Sequence, residues 1–297
     1  MAENYASTAK LQLPVEVVST IIDKVKNQSI VASLATRQPE RFTDEKYLIF
    51  NPSAEAEVVE EGAAKSSYVP ETSVVVGKRF KVQTTTRVSN EFQWADEDAR
   101  LHIFERIQDD QSEAIGRALD YVTLHAFNPK PKTALAGYTG LMASAKQVAS
   151  TGKAAEDLDA LIDALNEEYN ITGLALSRIF ANDLRKLRIP NTQARMYPEV
   201  PINLNVGSIE GIRAAVSNTV NGRLITPATN KLALIGDWSL FRWGMVRDVW
   251  AELIEYGDPD GSGDLKRYNQ VAYRTEAVYS YVVLDANGFA ALNAAEA

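Results

Sequence analysis

Leu101, Phe104, Ile107, Gln111, Ile115, Ala118 and Val122 fall at spacings of three and four, so they share one face of a helix running from about Asp96 to Phe127. Ser89 or Asp96 can cap its start, and Asn128-Pro129-Lys130-Pro131 stops it. Thirty-odd residues at 1.5 Å each make a rod of about 45 Å, well beyond a mean helix. Without a sustained heptad the rod does not read as a free coiled coil, and it is expected to lie along a sheet. Upstream, Phe80, Val82, Thr84, Thr86 and Val88 alternate with Lys81, Gln83, Thr85 and Arg87, the period of a strand. Tyr47-Leu48-Ile49-Phe50, ended by Asn51-Pro52, predicts a second strand. About 30 residues separate the two, far more than a hairpin turn needs. They carry Glu55, Glu57, Glu60, Glu61 and Lys65, with only Val58-Val59 and Val74 to Val76 as apolar patches. Such an arm is too polar to bury; it either moves freely or lies across a partner.

Either side of this unit the pattern is simpler. Val15, Val18, Ile22 and Val25 lie opposite Glu16, Asp23, Lys24 and Lys26, predicting an amphipathic helix from Pro14 to about Gln28. It reads equally as a helix packed on its own domain and as an arm docked on a neighbour. Downstream, a linker with Gly137, Gly140 and Gly152 precedes a helix over Ala155–Tyr169, with Leu158, Leu161, Ile162 and Leu165 on one face. Gly173–Leu176 reads as a buried strand and Asn182–Leu187 as a short helix. Strand-like segments follow at Ile212–Val216, Lys231–Ile235, Val246–Ile254, Gln270–Thr275 and Val278–Leu284, with a short helix after Asp285. Helices and strands mix without regular alternation, so the fold class is α+β. There is no internal repeat and no low-complexity tract.

Composition narrows the chemistry. The chain has 45% hydrophobic and 24% charged residues, no cysteine and a net charge of −8. Disulfides, thiolate metal sites and cysteine nucleophiles are excluded. Neither a signal peptide nor an apolar run long enough for a bilayer is visible, so folding in a cytoplasm is expected. Basic residues are scattered among acids, which argues against tight nucleic-acid binding but permits containment of nucleic acid. The two histidines, His102 and His125, read as surface or interface residues of the long helix. No Gly-x-Ser-x-Gly elbow is present, and Thr151-Gly152-Lys153 lacks the remainder of a phosphate loop. Asp258-Pro259-Asp260-Gly261-Ser262-Gly263-Asp264 imitates the start of a calcium loop, but its twelfth position is Asn269 instead of a glutamate, so it reads as a polar turn. Glu167 and Glu168 point in different directions and read as solvated surface. No catalytic, cofactor-binding or metal site emerges, and the chain is not expected to be an enzyme.

In order and spacing, the segments from about Leu13 to Leu292 resemble the major capsid proteins of tailed bacteriophages, which have the Hong Kong 97 type of fold. Ala56 to Lys65 resembles the tip of that family's extended E-loop, and Lys81 to Glu91 the strand returning from it into the spine helix. Gly207-Ser208-Ile209-Glu210-Gly211-Ile212 with Val216-Ser217, and Ile235-Gly236-Asp237-Trp238, resemble steps of its axial domain. Tyr268 to Glu276 and Val282 to Phe289 resemble its closing strands. The resemblance implies an N-terminal arm over 1–45 and an E-loop over 46–88. It further implies a peripheral domain over 89–150 and 249–276, and an axial domain over 151–248 and 277–297. It also implies pentamers and hexamers closing into an icosahedral head around double-stranded DNA, with scaffold, portal and decoration proteins as partners. The expected location is the virion, assembled in the host cytoplasm.

Some members of that family join subunits by an isopeptide bond between an E-loop lysine and an asparagine, assisted by a glutamate. Lys65, Asn269 and Glu276 fall at those three positions; the competing reading is a lysine paired with a neighbour's carboxylate. Only about 45 residues precede the E-loop strand, so assembly is expected to use a separate scaffold or intrinsic curvature. A nanocompartment shell enclosing cargo protein, of the encapsulin type, is the alternative within the same fold. A soluble enzyme is the alternative outside it.

Overall fold

The structure is a computed structural model, and it describes residues 29–38, 46–51, 56–60, 65–69, 71–91, 97–226 and 228–294. The helix expected over Pro14–Gln28 lies outside the described residues. In chain order, a helical turn α1 (Ile30–Leu34) precedes β1 (Lys46–Asn51), β2 (Glu71–Val76) and β3 (Lys78–Ser89). The long helix α2 (Glu97–His125) leads to a small ladder of β4 (Phe127–Asn128) with β5 (Thr133–Ala134). There follow α3 (Leu141–Ser144), β6 (Lys146–Ala149), α4 (Ala154–Asp163), β7 (Gly173–Leu176) and α5 (Arg178–Lys186). The chain continues through β8 (Ser208–Ile209), β9 (Ile212–Val216), β10 (Lys231–Gly236), β11 (Phe241–Ile254), β12 (Gln270–Val283) and β13 (Phe289–Asn293).

These elements build two sheets. One has three long antiparallel strands in the order β11-β12-β3, with β3 paired to β12 along its whole length, from Lys78↔Tyr281 to Ser89↔Gln270. The other has six strands in the order β6-β13-β10-β7-β9-β8 and is mixed, parallel at β6/β13 and β7/β9. Helix α2 fastens to the three-stranded sheet through one polar residue of its predicted face. Gln111 is buried, donates to Thr86 Oγ1 at 3.3 Å and to the Tyr273 carbonyl at 3.2 Å, and accepts the Thr275 hydroxyl. A buried amide is tolerated there because its hydrogen-bonding capacity is met. Farther along, Ile115, Ala118 and Val122 of the same face are buried, as expected for a rod laid on a core.

Several expectations need correction. The predicted Gln270–Thr275 and Val278–Leu284 are one 14-residue strand. Glu276 interrupts the apolar pattern, but Lys81 on β3 sits diagonally across from it and pairs with it at 2.7 Å, so the ladder runs through. Strand β11 begins at Phe241 instead of Val246 because Phe241, Trp243 and Met245 alternate inward ahead of the predicted segment. The expected domain boundaries at 248/249 and 276/277 therefore fall inside β11 and β12. The expected E-loop range likewise takes in β3, which belongs to the three-stranded sheet. Helix α2 stops at His125, where Ala126 takes a left-handed backbone (φ 53°), two residues short of Phe127. Helix α5 starts at Arg178, four residues ahead of its predicted start, because Ser177 caps it by accepting the Phe180 N–H at 3.2 Å. The short β6 and β13 were not anticipated as strands.

Candidate intersubunit surfaces

Large hydrophobic side chains left exposed gather in three places. Leu48, Val58, Tyr68, Val69, Val74 and Val76 lie on the arm; Ile179, Ile189, Met196 and Ile202 lie on α5 and the loop after it; Tyr256 and Tyr268 flank the 257–267 turn. Scattered exposed apolar residues are ordinary, but grouped ones mark surfaces awaiting a cover.

The arm is the two-stranded β1/β2 ladder, which shares no strand pairing with either sheet. Leu48 stands directly opposite Val74, and Lys46 opposite Val76, so Leu48, Val74 and Val76 share one face; both Leu48 and Val74 are 57% exposed. Two strands without a covering layer are marginal in water. Near the tip, Glu57 accepts the Ser66 N–H at 2.7 Å, which ties the loop back on itself and holds that carboxyl below its usual range. At the root, Arg242 lies over the Tyr47 ring at 5.7 Å and the Tyr138 hydroxyl donates to the Arg79 carbonyl at 2.6 Å. Beside it, β3 and α2 border a groove of 530 Å3, lined by Phe80, Val82, Ile115, Ala118 and Tyr138.

Within one chain the three residues of the expected cross-link occupy separate places. Lys65 is exposed on the arm. Asn269 is exposed just before β12, in a left-handed conformation (φ 53°), and accepts the Asn90 side-chain amide at 3.0 Å. Glu276 lies within β12, its side chain 16% exposed and paired with Lys81. Glu276 lies seven steps of chain beyond Asn269, the six intervening residues being in β12, roughly 23 Å when extended.

The calcium-like turn closes on a guanidinium. Arg87 of β3 donates from Nε to both Asp260 oxygens at 2.9 and 3.0 Å, and from Nη2 to Asp258 at 3.0 Å and the Gly263 carbonyl at 2.9 Å. This guanidinium holds the Asp260 carboxyl below its ordinary value. No group of side chains among the described residues could hold a metal ion.

His125 is half-buried. Its Nε2 lies 2.7 Å from the Thr219 carbonyl, and burial pulls its pKa down; the His102 side chain lies outside the described residues. Sequence reasoning also missed Asp120, which is fully buried. Its carboxylate accepts the Ser29 hydroxyl at 2.5 Å, the Ile30 and Val31 N–H groups at 3.1 and 3.2 Å, and the Thr219 hydroxyl at 2.7 Å. The legible signal was a charge inside a stretch, Ala118 to Leu124, that is apolar nearly all round. Among the described residues, no helix is long and apolar enough to cross a membrane.

The comparisons agree with this architecture. The model of the phage capsid family matches residues 10–294. A solved structure from Mycobacterium phage Ogopogo is 35% identical, with a TM-score of 0.80, covering 90% of this chain and 92% of that one. One from Gordonia phage Cozz is 26% identical, with a TM-score of 0.74, covering 91% and 87%. At the level of fold alone, a chain from the capsid of a native GTA particle with C5 symmetry is 13% identical with a TM-score of 0.62, covering 92% and 91%. No curated protein sequence matches. With a family model spanning nearly the whole chain and the Hong Kong 97-like fold beneath it, the chain belongs to the phage capsid family, as a structural, major capsid protein of a tailed bacteriophage.

Proposed function

We propose that this chain is the repeating subunit of an icosahedral phage head, assembling as pentamers and hexamers into a closed shell around double-stranded DNA. The observation that carries the reading is the β1/β2 arm, whose Leu48, Val74 and Val76 share a face that no other element among the described residues covers. A second copy supplies the missing layer. In this reading the three-stranded sheet with α2 is the peripheral region, and the six-stranded sheet with α4 and α5 is the axial one. Modest contacts, repeated by symmetry, then hold the shell. Electron microscopy of particles made from the chain, followed by nuclease treatment of those from an infected host, tests it. Closed shells with nuclease-protected DNA are expected; enclosed protein cargo would point to a nanocompartment, and a chain monomeric at high concentration would end the shell reading.

A covalent fastening is a second element of the proposal. The Lys65 amine would attack the Asn269 side-chain carbonyl of another subunit, forming an amide and releasing ammonia, while a glutamate takes the amine proton. Because Asn269 and Glu276 of one chain stand roughly 23 Å apart, the assisting Glu276 comes from a different copy than Asn269 does. Boiled particles on a denaturing gel decide it: a ladder of multimers abolished by Lys65→Arg is expected, and a monomer band alone rules it out.

A further inference from the structure

Outside the arm, the structure carries two surfaces of opposite charge that do not neutralise each other within the chain. Helix α4 and the turn after it, residues 154–168, hold six acidic residues and no lysine or arginine. Residues 178–196, α5 and the loop beyond, hold five basic residues against one acidic. Local salt bridges account for some of these charges: Lys153–Glu156 at 2.8 Å, Lys146–Glu168 at 3.0 Å and Lys186–Asp183 at 2.9 Å. Asp159, Asp163 and Glu167 are exposed on the acidic side, and have no cation within salt-bridge distance among the described residues. Arg178, Arg188 and Arg195 on the basic side have no carboxylate partner there either; Arg188 donates only to the backbone carbonyls of Arg185 and Leu187.

The basic surface also carries uncovered apolar groups. Ile179 is 56% exposed, and Ile189 and Met196 are each 40% exposed. Ile189 sits in a tight loop fixed by the Arg188↔Arg195 bridge and by a bond from its N–H to the Ala194 carbonyl at 2.9 Å. Both surfaces stand on rigid supports. Helix α4 packs over β6 and β13 at one edge of the six-stranded sheet, while α5 packs over β10 nearer its middle. Leu158, Leu161, Phe180 and Leu184 anchor them in a shared core.

Opposite patches can meet reciprocally across a two-fold axis or singly in a head-to-tail contact, and the reading of the chain as a ring-forming subunit selects the second. We propose that the basic, isoleucine-bearing surface of residues 178–196 docks on the acidic α4 surface of the next copy around the ring. This rests on the reading of the chain as a ring-forming shell subunit and names the surfaces that meet. The charges set register and direction, and the isoleucines supply the apolar area.

Charge reversal tests it. Arg188→Glu with Arg195→Glu, and separately Asp159→Lys with Asp163→Lys, should each lower the assembled fraction about tenfold, since each turns attractive pairs repulsive. Joining all four substitutions in one chain restores opposite signs across the contact and should recover assembly. Sedimentation velocity and electron microscopy read the assembly, and circular dichroism reads the fold. Should a reversal unfold the chain, Arg188→Gln with Arg195→Gln carries the same expectation of weakened assembly. Wild-type chain that does not assemble would remove the shell reading itself. Wild-type chain that assembles, with folded one-sided variants assembling equally or a folded four-site variant failing to recover, would overturn the docking while leaving the shell intact.

Discussion

The Asp120 carboxylate, buried within the long helix, accepts the hydroxyl of Ser29 at 2.5 Å across 91 residues of sequence. Ser29 also caps α1 by accepting the Ala32 N–H at 3.2 Å, so Asp120 sets where the N-terminal segment enters the body. The segment is tied at its other end too: Gln38 N–H donates to the Trp243 carbonyl at 2.9 Å, and Trp243 Nε1 donates to the Ala35 carbonyl at 3.3 Å.

Replacing Asp120 with alanine orphans four donors at once and should cost about 2–5 kcal/mol, read by urea unfolding of the unassembled subunit. Burial, outweighing the donors, pushes the Asp120 carboxyl above its ordinary value. A raised folded value means that the folded chain holds the proton more tightly. The stabilisation from this group is therefore full below the unfolded value of about 3.9 and is lost as pH rises through the folded one. Asp120→Asn should remove that component of the pH dependence; an unchanged slope would contradict the assignment.

Arg87→Ala should loosen the 257–269 loop. Asp260 is held low by Arg87, so its contribution is present above the ordinary aspartate value and lost as pH falls through its lowered value. Amide exchange across the loop should be less protected in the variant at neutral pH, and wild-type protection should fall to that of the variant, compared at the same pH, only in strong acid.

Gly140→Ala should destabilise by about 1–3 kcal/mol, because overpacking against backbone cannot be relieved by a rotamer change. An added Cβ would meet the Leu124 carbonyl and the His125 Cα, the latter at 2.7 Å, at the end of α2. At Gly207 it would meet nothing within 4 Å, so Gly207→Ala is the matched control and should leave Tm nearly unchanged.

Leu48→Asp with Val74→Asp should leave the melting temperature of the unassembled subunit within error, since both side chains face solvent. Assembly should fail, because two carboxylates then stand opposite each other where a neighbour's apolar surface would close. Normal particles from this variant would show that the arm's face is not an interface.

Periodicity alone determined the long helix, the alternating strand of the arm's return and most of the later strands, because burial of one face imposes a spacing visible in a single segment. It also made the arm legible, since a long acidic stretch between strands has no local way to become core. What only the tertiary structure decided depends on pairs distant in sequence. The continuity of β12 through Glu276 rests on Lys81 of another strand, and the closure of the Asp258–Asp264 turn on Arg87. The burial of Asp120 depends on donors from Ser29 and Thr219. The separation of Asn269 from Glu276, close in number yet far apart in space, follows from the extended strand between them. A charge in a sequence reads as surface; whether it is a lid, an anchor or a free surface is set by the partner that folding brings to it.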